Sequence, residues 1–373
     1  MTSSRAIRVM VTGAGGSAAV GFCRSLRSAD CDYELIGIDC DKYHLNLAVA
    51  DHTYLVPPAS DPDYLPILNW IAHKHDADFL HSQPDVEVEF ASSHRNQLAV
   101  ETNLPEHQVV KRCLDKYQSY LCWQQAGIAV PETRMIAGRN DLQLAFNELG
   151  PKLWLRNTHG AAGKGALPTS DYVEAVAWID FCKGWGEFTA ARCLTDESVT
   201  WQSIWQRGRL LLAQTRLRKY WEFGNRSPSG VTGLTGTGIT LSDSVIDELA
   251  QRCIQAVDTV PNGIFSVDFT YDAEGEPNPT EINIGRFFTT HQFFTAAGVN
   301  FPDIYIRTSL NLPVDLPDNP VNPLQDGLAW VRGLDSEPVL TTAASIEARE
   351  MQRNELRSNA REDVHERSLR HTG

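Results

Sequence analysis

Apolar and polar positions along the chain follow two periods, and the switches between them outline its elements. Ile7-Arg8-Val9-Met10-Val11-Thr12 reads as a buried strand and residues 33–39 as a second. Between them Gly13-Ala14-Gly15-Gly16-Ser17 forms a turn, and residues 18–26 continue at helical spacing. Residues 64–75 place Leu65, Leu68, Ile71 and Ala72 on one helical face, and a short strand follows over 78–82. This succession predicts a parallel α/β domain over the first hundred or so residues. A helix is predicted over 109–126, ended by Gly127, followed by an extended segment over 128–133. A strand over 152–156 runs into a glycine-rich loop over 157–167. A third unit, about 189–312, carries strands near 199–205 and 210–215 and a helix near 242–257. It closes with two strands, 264–270 and 280–286, joined by Asp272-Ala273-Glu274-Gly275-Glu276.

That last hairpin holds the first candidate chemistry. Side chains alternate along a strand, so Glu281 and Asn283 share a face, and Asp268 lies opposite them if the strands run antiparallel. Two carboxylates and an amide oxygen on one face suit Mg²⁺; a solvated acidic hairpin is the plainer alternative. Gly160, Gly163 and Gly165 with Lys164 give a loop whose backbone N–H groups can wrap phosphates, or a flexible hairpin tip. Asp39 ends the second strand where a dinucleotide-binding fold places its ribose acid. Ala18, however, stands where that fingerprint has its third glycine, which favours a turn that lets helix and strand pack.

Composition removes several classes. The 373 residues call for two or three domains. A formal net charge of −14 excludes nucleic-acid binding through a general basic surface. The eight cysteines form no Cys-x-x-Cys pair or zinc-type spacing, the start lacks a signal-peptide core, and no segment suits a bilayer. A cytoplasmic protein with reduced thiols and no membrane partner is expected. His73, His75 and His81 read as surface residues rather than metal ligands. Arg349, Arg353, Arg357 and Arg361 recur in a polar tail that reads as a solvated helix or a disordered end.

Taken in order, these motifs are more specific than any one alone. The series is a glycine-turn α/β domain, Asp115-Lys116, Gly127-Ile128-Ala129-Val130-Pro131-Glu132-Thr133, Arg156, Gly160–Gly165, Asp268 and Glu281-x-Asn283. It resembles the ATP-grasp superfamily, within it the carbamoyl-phosphate-synthetase-like carboxylate–amine ligases, over roughly residues 5–312. The resemblance implies an α/β fold: a Rossmann-like preATP-grasp domain (1–108), an ATP-grasp subdomain with a glycine-rich lid (109–188), and one with the hinge and metal site (189–315). Residues 316–373 would form an extension, partly helical or disordered.

The resemblance also implies roles. Lys116 matches the phosphate-binding residue of the Asp-Lys helix, and Arg156 stands where the family usually has a second lysine. Gly160 to Gly165, with Lys164, matches the lid over the phosphates. Asp268, Glu281 and Asn283 match the magnesium ligands, and Arg286 the arginine that steadies the transferred phosphoryl group, one residue late because Gly285 intervenes. At the hinge Arg192 replaces the usual glutamate, leaving adenine to the backbone of Cys193 and Leu194 and ribose to Asp196, Glu197 or Ser198.

The implied activity is ATP-dependent, ADP-forming ligation of a carboxylate to an amine or similar nucleophile, using ATP and Mg²⁺ and no nucleic acid. A homodimer is left open. Arg216, Arg218, Ser229, Gly230 and Arg286 are the candidates for the substrate carboxylate, because arginine forks fit carboxylates; surface ion pairs are the alternative for Arg216 and Arg218. Phe287, Phe288, Phe293 and Phe294 read as core, while Thr289, Thr290 and His291 are placed to reach the cleft. A nucleotide-binding regulator without turnover and a nicotinamide-dependent dehydrogenase remain as alternatives.

Overall fold

The computed structural model describes residues 5–161, 163–333 and 341–371. The first domain comprises β1 (Ile7–Thr12), α1 (Ser17–Arg27), β2 (Tyr33–Asp39), β3 (His52–Leu55), α2 (Tyr64–His75), β4 (Phe79–His81) and α3 (Asp85–Ser93). Its four strands are parallel in the order β3-β2-β1-β4. Val9, Met10 and Val11 are fully buried, which explains the unbroken apolar run: both faces of the sheet are covered. The glycine turn after β1 is filled by the chain itself. A Cβ on Gly15 would lie 1.8 Å from the His44 carbonyl oxygen, and Gly15 N donates to Asp39 Oδ2 at 3.1 Å. Asp39 thus holds the turn rather than a ribose, and the geometry favours the packing role over a dinucleotide site. His81, expected at the surface, is fully buried and stacked 4.0 Å from the Phe22 ring, because β4 lies inside the molecule.

Next come α4 (His107–Leu114), α5 (Lys116–Gln125), β5 (Thr133–Ile136), α6 (Arg139–Leu149), β6 (Leu153–Asn157), β7 (Leu167–Thr169), α7 (Tyr172–Cys182) and β8 (Phe188–Arg192). The single helix expected over 109–126 is broken at Asp115. The Asp115 carboxylate caps α5 by accepting from Tyr117 N at 2.9 Å and Gln118 N at 3.2 Å. The break puts Lys116 in the first helical turn. An antiparallel sheet, β5-β8-β6-β7, has its own core around Ile136, Leu142, Leu155, Ile179 and Phe188.

The remaining elements are β9 (Ser198–Gln206), β10 (Arg209–Trp221), β11 (Thr235–Leu241), α8 (Ser244–Val257), β12 (Gly263–Tyr271), β13 (Pro277–Ile284), α9 (Gln292–Ala296), α10 (Phe301–Ser309), β14 (Ala329–Val331) and α11 (Ala343–His371). Six antiparallel strands run β13-β12-β9-β10-β11-β14. This sheet shares two apolar clusters with the first domain, so those two parts pack as one mass while the small sheet keeps a separate core. Val199, Trp201 and Val267 join the cluster that includes α8, and the alternate residues Ser198, Thr200, Gln202 and Asp268 point the other way. No described helix is long and apolar enough to cross a membrane.

The tail forms a helix, one of the two states expected of it, and that helix docks on the first domain. α11 packs against α2 and β3, burying Leu356 and Ala360, and Arg361 NH2 meets Asp63 Oδ2 at 2.7 Å. Arg357 pairs with Asp61, and Arg349 NH1 donates to Thr53 Oγ1 at 3.1 Å. Three of the four spaced arginines, Arg349, Arg357 and Arg361, therefore serve docking. Leu356→Asp is expected to release α11 and speed tryptic cleavage at Arg349 and Arg353, read by limited proteolysis against the parent chain.

Candidate functional site

β12 and β13 pair antiparallel with Asp268 opposite Glu281 and Ser266 opposite Asn283. The register then shifts, since Phe269 faces Pro279, leaving Thr280 as the extra residue of a bulge. Thr280 is used on both sides: its hydroxyl donates to Asp268 O at 3.1 Å, and its carbonyl accepts from Arg156 NH2 at 2.9 Å. Asn283 Nδ2 donates to Asp268 Oδ2 at 3.1 Å. Asp268, Glu281 and Asn283 therefore meet in one place.

Cations from three other segments converge there. Lys116 Nζ lies 3.6 Å from Glu281 Oε2 and donates to Gly160 O at 2.6 Å, joining α5, the hairpin and the glycine-rich loop. Arg286 NH2 donates to Asn283 Oδ1 at 2.6 Å, and its Nε donates to Asp85 at the start of α3. The late position of Arg286 has a structural cause. Gly285 has φ +70°, and a Cβ there would lie 2.7 Å from Val88 Cγ1 and 2.8 Å from Leu104 Cδ2, so the chain folds back and returns Arg286 to the site. Gly285→Val is expected to cost about 1–3 kcal/mol from the left-handed backbone alone, seen as a lower thermal midpoint.

Arg216 and Arg218 are not surface residues. They are 1% and 8% exposed, on the face of β10 that looks towards Asp268. Arg216 donates to Thr235 Oγ1 and Thr200 Oγ1, both at 2.6 Å, and its guanidinium lies 4.8 Å over Phe288. Arg218 donates to Ser198 Oγ at 2.8 Å, lies 3.5 Å from Asp268 Oδ1 and sits 3.7 Å over Trp221. Phe288, expected as core, is buried and also forms the platform for Arg216. Ser198, one of the ribose candidates, is committed to Arg218, whereas Glu197 is exposed beside it.

Some expected residues stand apart. His291 is fully buried, its Nδ1 2.7 Å from Phe288 O, and burial lowers its pKa to about 4; it faces α1 near Gly21 rather than the cleft. Thr290 is buried too, and Phe287, Phe293 and Phe294 belong to the apolar cluster shared with α1. Ser229 and Gly230 shape their own turn through Ser227 and Val231. That loop meets the glycine-rich one, because a side chain on Gly163 would strike the Val231 carbonyl. Lys164 is exposed at the loop tip, and Cys193 and Leu194 are half-buried in the segment joining β8 to β9. Sequence reasoning gave no role to Asp85 or Thr200, and took Thr235 only as part of the 229–236 loop.

Burial pushes the Glu281 carboxyl up, but Lys116, Arg156 and Arg286 outweigh it and hold it below its ordinary value, although its side chain is 32% exposed. Asp268 ends above its ordinary value, because burial and the Glu281 charge outweigh Arg218. Burial lowers Lys116 against the pull of Glu281. It lowers Arg216 much further, helped by the Arg218 charge. Five cations (Lys116, Arg156, Arg216, Arg218, Arg286) thus face three carboxylates (Asp85, Asp268, Glu281), a local positive excess in an acidic chain that suits anionic ligands.

No protein-family model matches the chain, and no curated protein is found similar to it. Solved structures are. The L-amino acid ligase of Bacillus licheniformis aligns at TM-score 0.62 and 12% identity over 83% of this chain and 75% of that one. The biotin carboxylase domain of the Hydrogenobacter thermophilus 2-oxoglutarate carboxylase, solved with MgADP, ADP and bicarbonate, aligns at 0.66 and 14% over 87% and 74%. The N5-carboxyaminoimidazole synthetase of Staphylococcus aureus, complexed with ADP, aligns at 0.62 and 16% over 83% and 79%. The chain has the fold these enzymes share, the ATP-grasp fold.

Proposed function

We propose that the protein is an ATP-dependent, ADP-forming ligase that activates a carboxylate and joins it to an amine or similar nucleophile. The observation that carries this reading is the meeting of Asp268, Glu281 and Asn283 with Lys116, Arg156 and Arg286 between two sheets whose cores are separate. Several of the similar structures were solved with ATP, ADP or MgADP, and another is an L-amino acid ligase. The donor set fits magnesium: two carboxylates and an amide oxygen, all hard, beside cations placed for phosphates. Bound there, Mg²⁺ would neutralise phosphate charge. Lys116 and Arg156 hold the phosphates, and Arg286, fixed by Asp85 and Asn283, steadies the group in transfer. The hinge backbone at Cys193 and Leu194 takes adenine, and Asp196 or Glu197 the ribose.

Arg216 and Arg218 take the substrate carboxylate. Arg216, buried and held only by hydroxyls and a ring, lacks a full counter-charge, and Arg218 shares Asp268 with the metal site, so an anion between them supplies what is missing. The carboxylate oxygen attacks the γ-phosphorus and ADP leaves. The nucleophile then attacks the acyl carbon and loses a proton, and phosphate leaves. The Gly160–Gly165 loop, with Lys164, closes against the 229–236 loop and keeps water from the acyl phosphate. The test is phosphate release with ATP, Mg²⁺ and pooled carboxylates and amines. Folded protein that binds ATP yet releases no phosphate across the pool would instead be a nucleotide-binding regulator.

A further inference from the structure

Three side chains distant in sequence meet at the edge of the first domain. Glu34 enters β2, His52 opens β3 on the same face of the sheet, and His75 ends α2, which packs over that face. His52 Nε2 lies 3.3 Å from Glu34 Oε1, and His75 Nδ1 lies 3.7 Å from the same oxygen. All three ligand atoms fall within 4.8 Å of one another. Tetrahedral zinc with bonds of about 2.0–2.1 Å holds its ligand atoms about 3.3 Å apart, close to this spacing.

The surroundings are arranged to orient these groups. The Tyr54 hydroxyl lies 2.8 Å from His75 Nε2; with Nε2–H donating to it, Nδ1 turns its lone pair towards Glu34 and His52. Arg8 Nε donates to the other Glu34 oxygen at 3.2 Å and leaves Oε1 free, while Asp76 shares the Arg8 charge at 3.2 Å. His52 is 46% exposed, so an ion and a completing water have access.

We propose that Glu34, His52 and His75 bind one Zn²⁺ ion, with water as fourth ligand, as a clamp on the first domain. Two imidazoles and a carboxylate select zinc over magnesium or calcium, which take oxygen. The place in the fold assigns a structural role. Glu34 and His52 lie at the N-terminal ends of their strands, whereas Asp85, which reaches Arg286, follows the C-terminal end of β4. The ion would tie α2 to β2 and β3 at the residue before Thr53, where Arg349 and Gln352 of α11 are anchored.

The test titrates chelator-stripped full-length protein with ZnCl₂ by calorimetry, records the visible spectrum with Co²⁺, and follows thermal melting. One ion per chain, a tetrahedral Co²⁺ spectrum and a raised midpoint are expected. His52→Ala is expected to abolish all three while leaving the metal-free midpoint unchanged, because the side chain is half-exposed. Tyr54→Phe keeps the ligands and should weaken binding about tenfold. No binding, several weak ions without a melting shift, or equal affinity in His52→Ala would each overturn the site.

Discussion

Glu281→Gln is expected to reduce ADP formation by roughly 10²–10³-fold, the scale seen when one electrostatic group is removed from a reacting centre. Glutamine has nearly the same shape, so the strand and its bulge should persist. What changes is charge: Glu281 sits among Lys116, Arg156 and Arg286, which hold its carboxyl ionised. Neutralising it leaves those three cations without their shared partner and replaces a hard ligand with a weaker one. The variant should melt near the parent temperature and still bind nucleotide, more weakly and with less dependence on Mg²⁺. Turnover at the parent rate in a folded variant would remove Glu281 from the metal site, and the place of the phosphoryl transfer would have to be sought elsewhere.

Much of this centre was legible because its central motif is local. A period of two placed Glu281 and Asn283 together, and a turn-linked partner strand brought Asp268 opposite them. The rest depended on contacts that no local pattern encodes. Asp85 meets Arg286 across the interface between the first domain and the large sheet. Thr200 and Thr235 matter only because β9 and β11 flank β10 and turn their hydroxyls to Arg216. Arginine chemistry marked Arg216 and Arg218 as candidates, yet the strand read from the sequence stopped at 215, and nothing in it told that β10 continues and buries them. The break at Asp115 lay under an apolar period that continues from α4 into α5, although aspartate is a common helix cap. The docking of α11 was hidden because few apolar residues mark it; Asp61 and Asp63, which receive its arginines, lie far away in the chain. Glu34, His52 and His75 were obscured for the same reason, since folding alone brings them together.

Arg216→Met separates binding from folding most sharply. If Arg216 holds the substrate carboxylate as proposed, it does so through a buried charge pair, and removing one partner of such a pair costs roughly 2–5 kcal/mol. That corresponds to a fall of roughly 30-fold or more in kcat/KM, mostly through KM for the carboxylate and not for ATP. Stability should move the other way. In the unliganded protein Arg216 is 1% exposed and held by two hydroxyls and a ring, and burial depresses its pKa strongly. Without a carboxylate bonded to it, the buried guanidinium carries a desolvation cost that methionine, an apolar chain of similar length, does not. Thr200 and Thr235 would keep Arg218 as a donor. The expected result is a thermal midpoint equal to or above the parent's together with a raised KM for the carboxylate. A lowered midpoint with unchanged KM would mean that Arg216 is part of the scaffold, and the carboxylate would have to be held elsewhere.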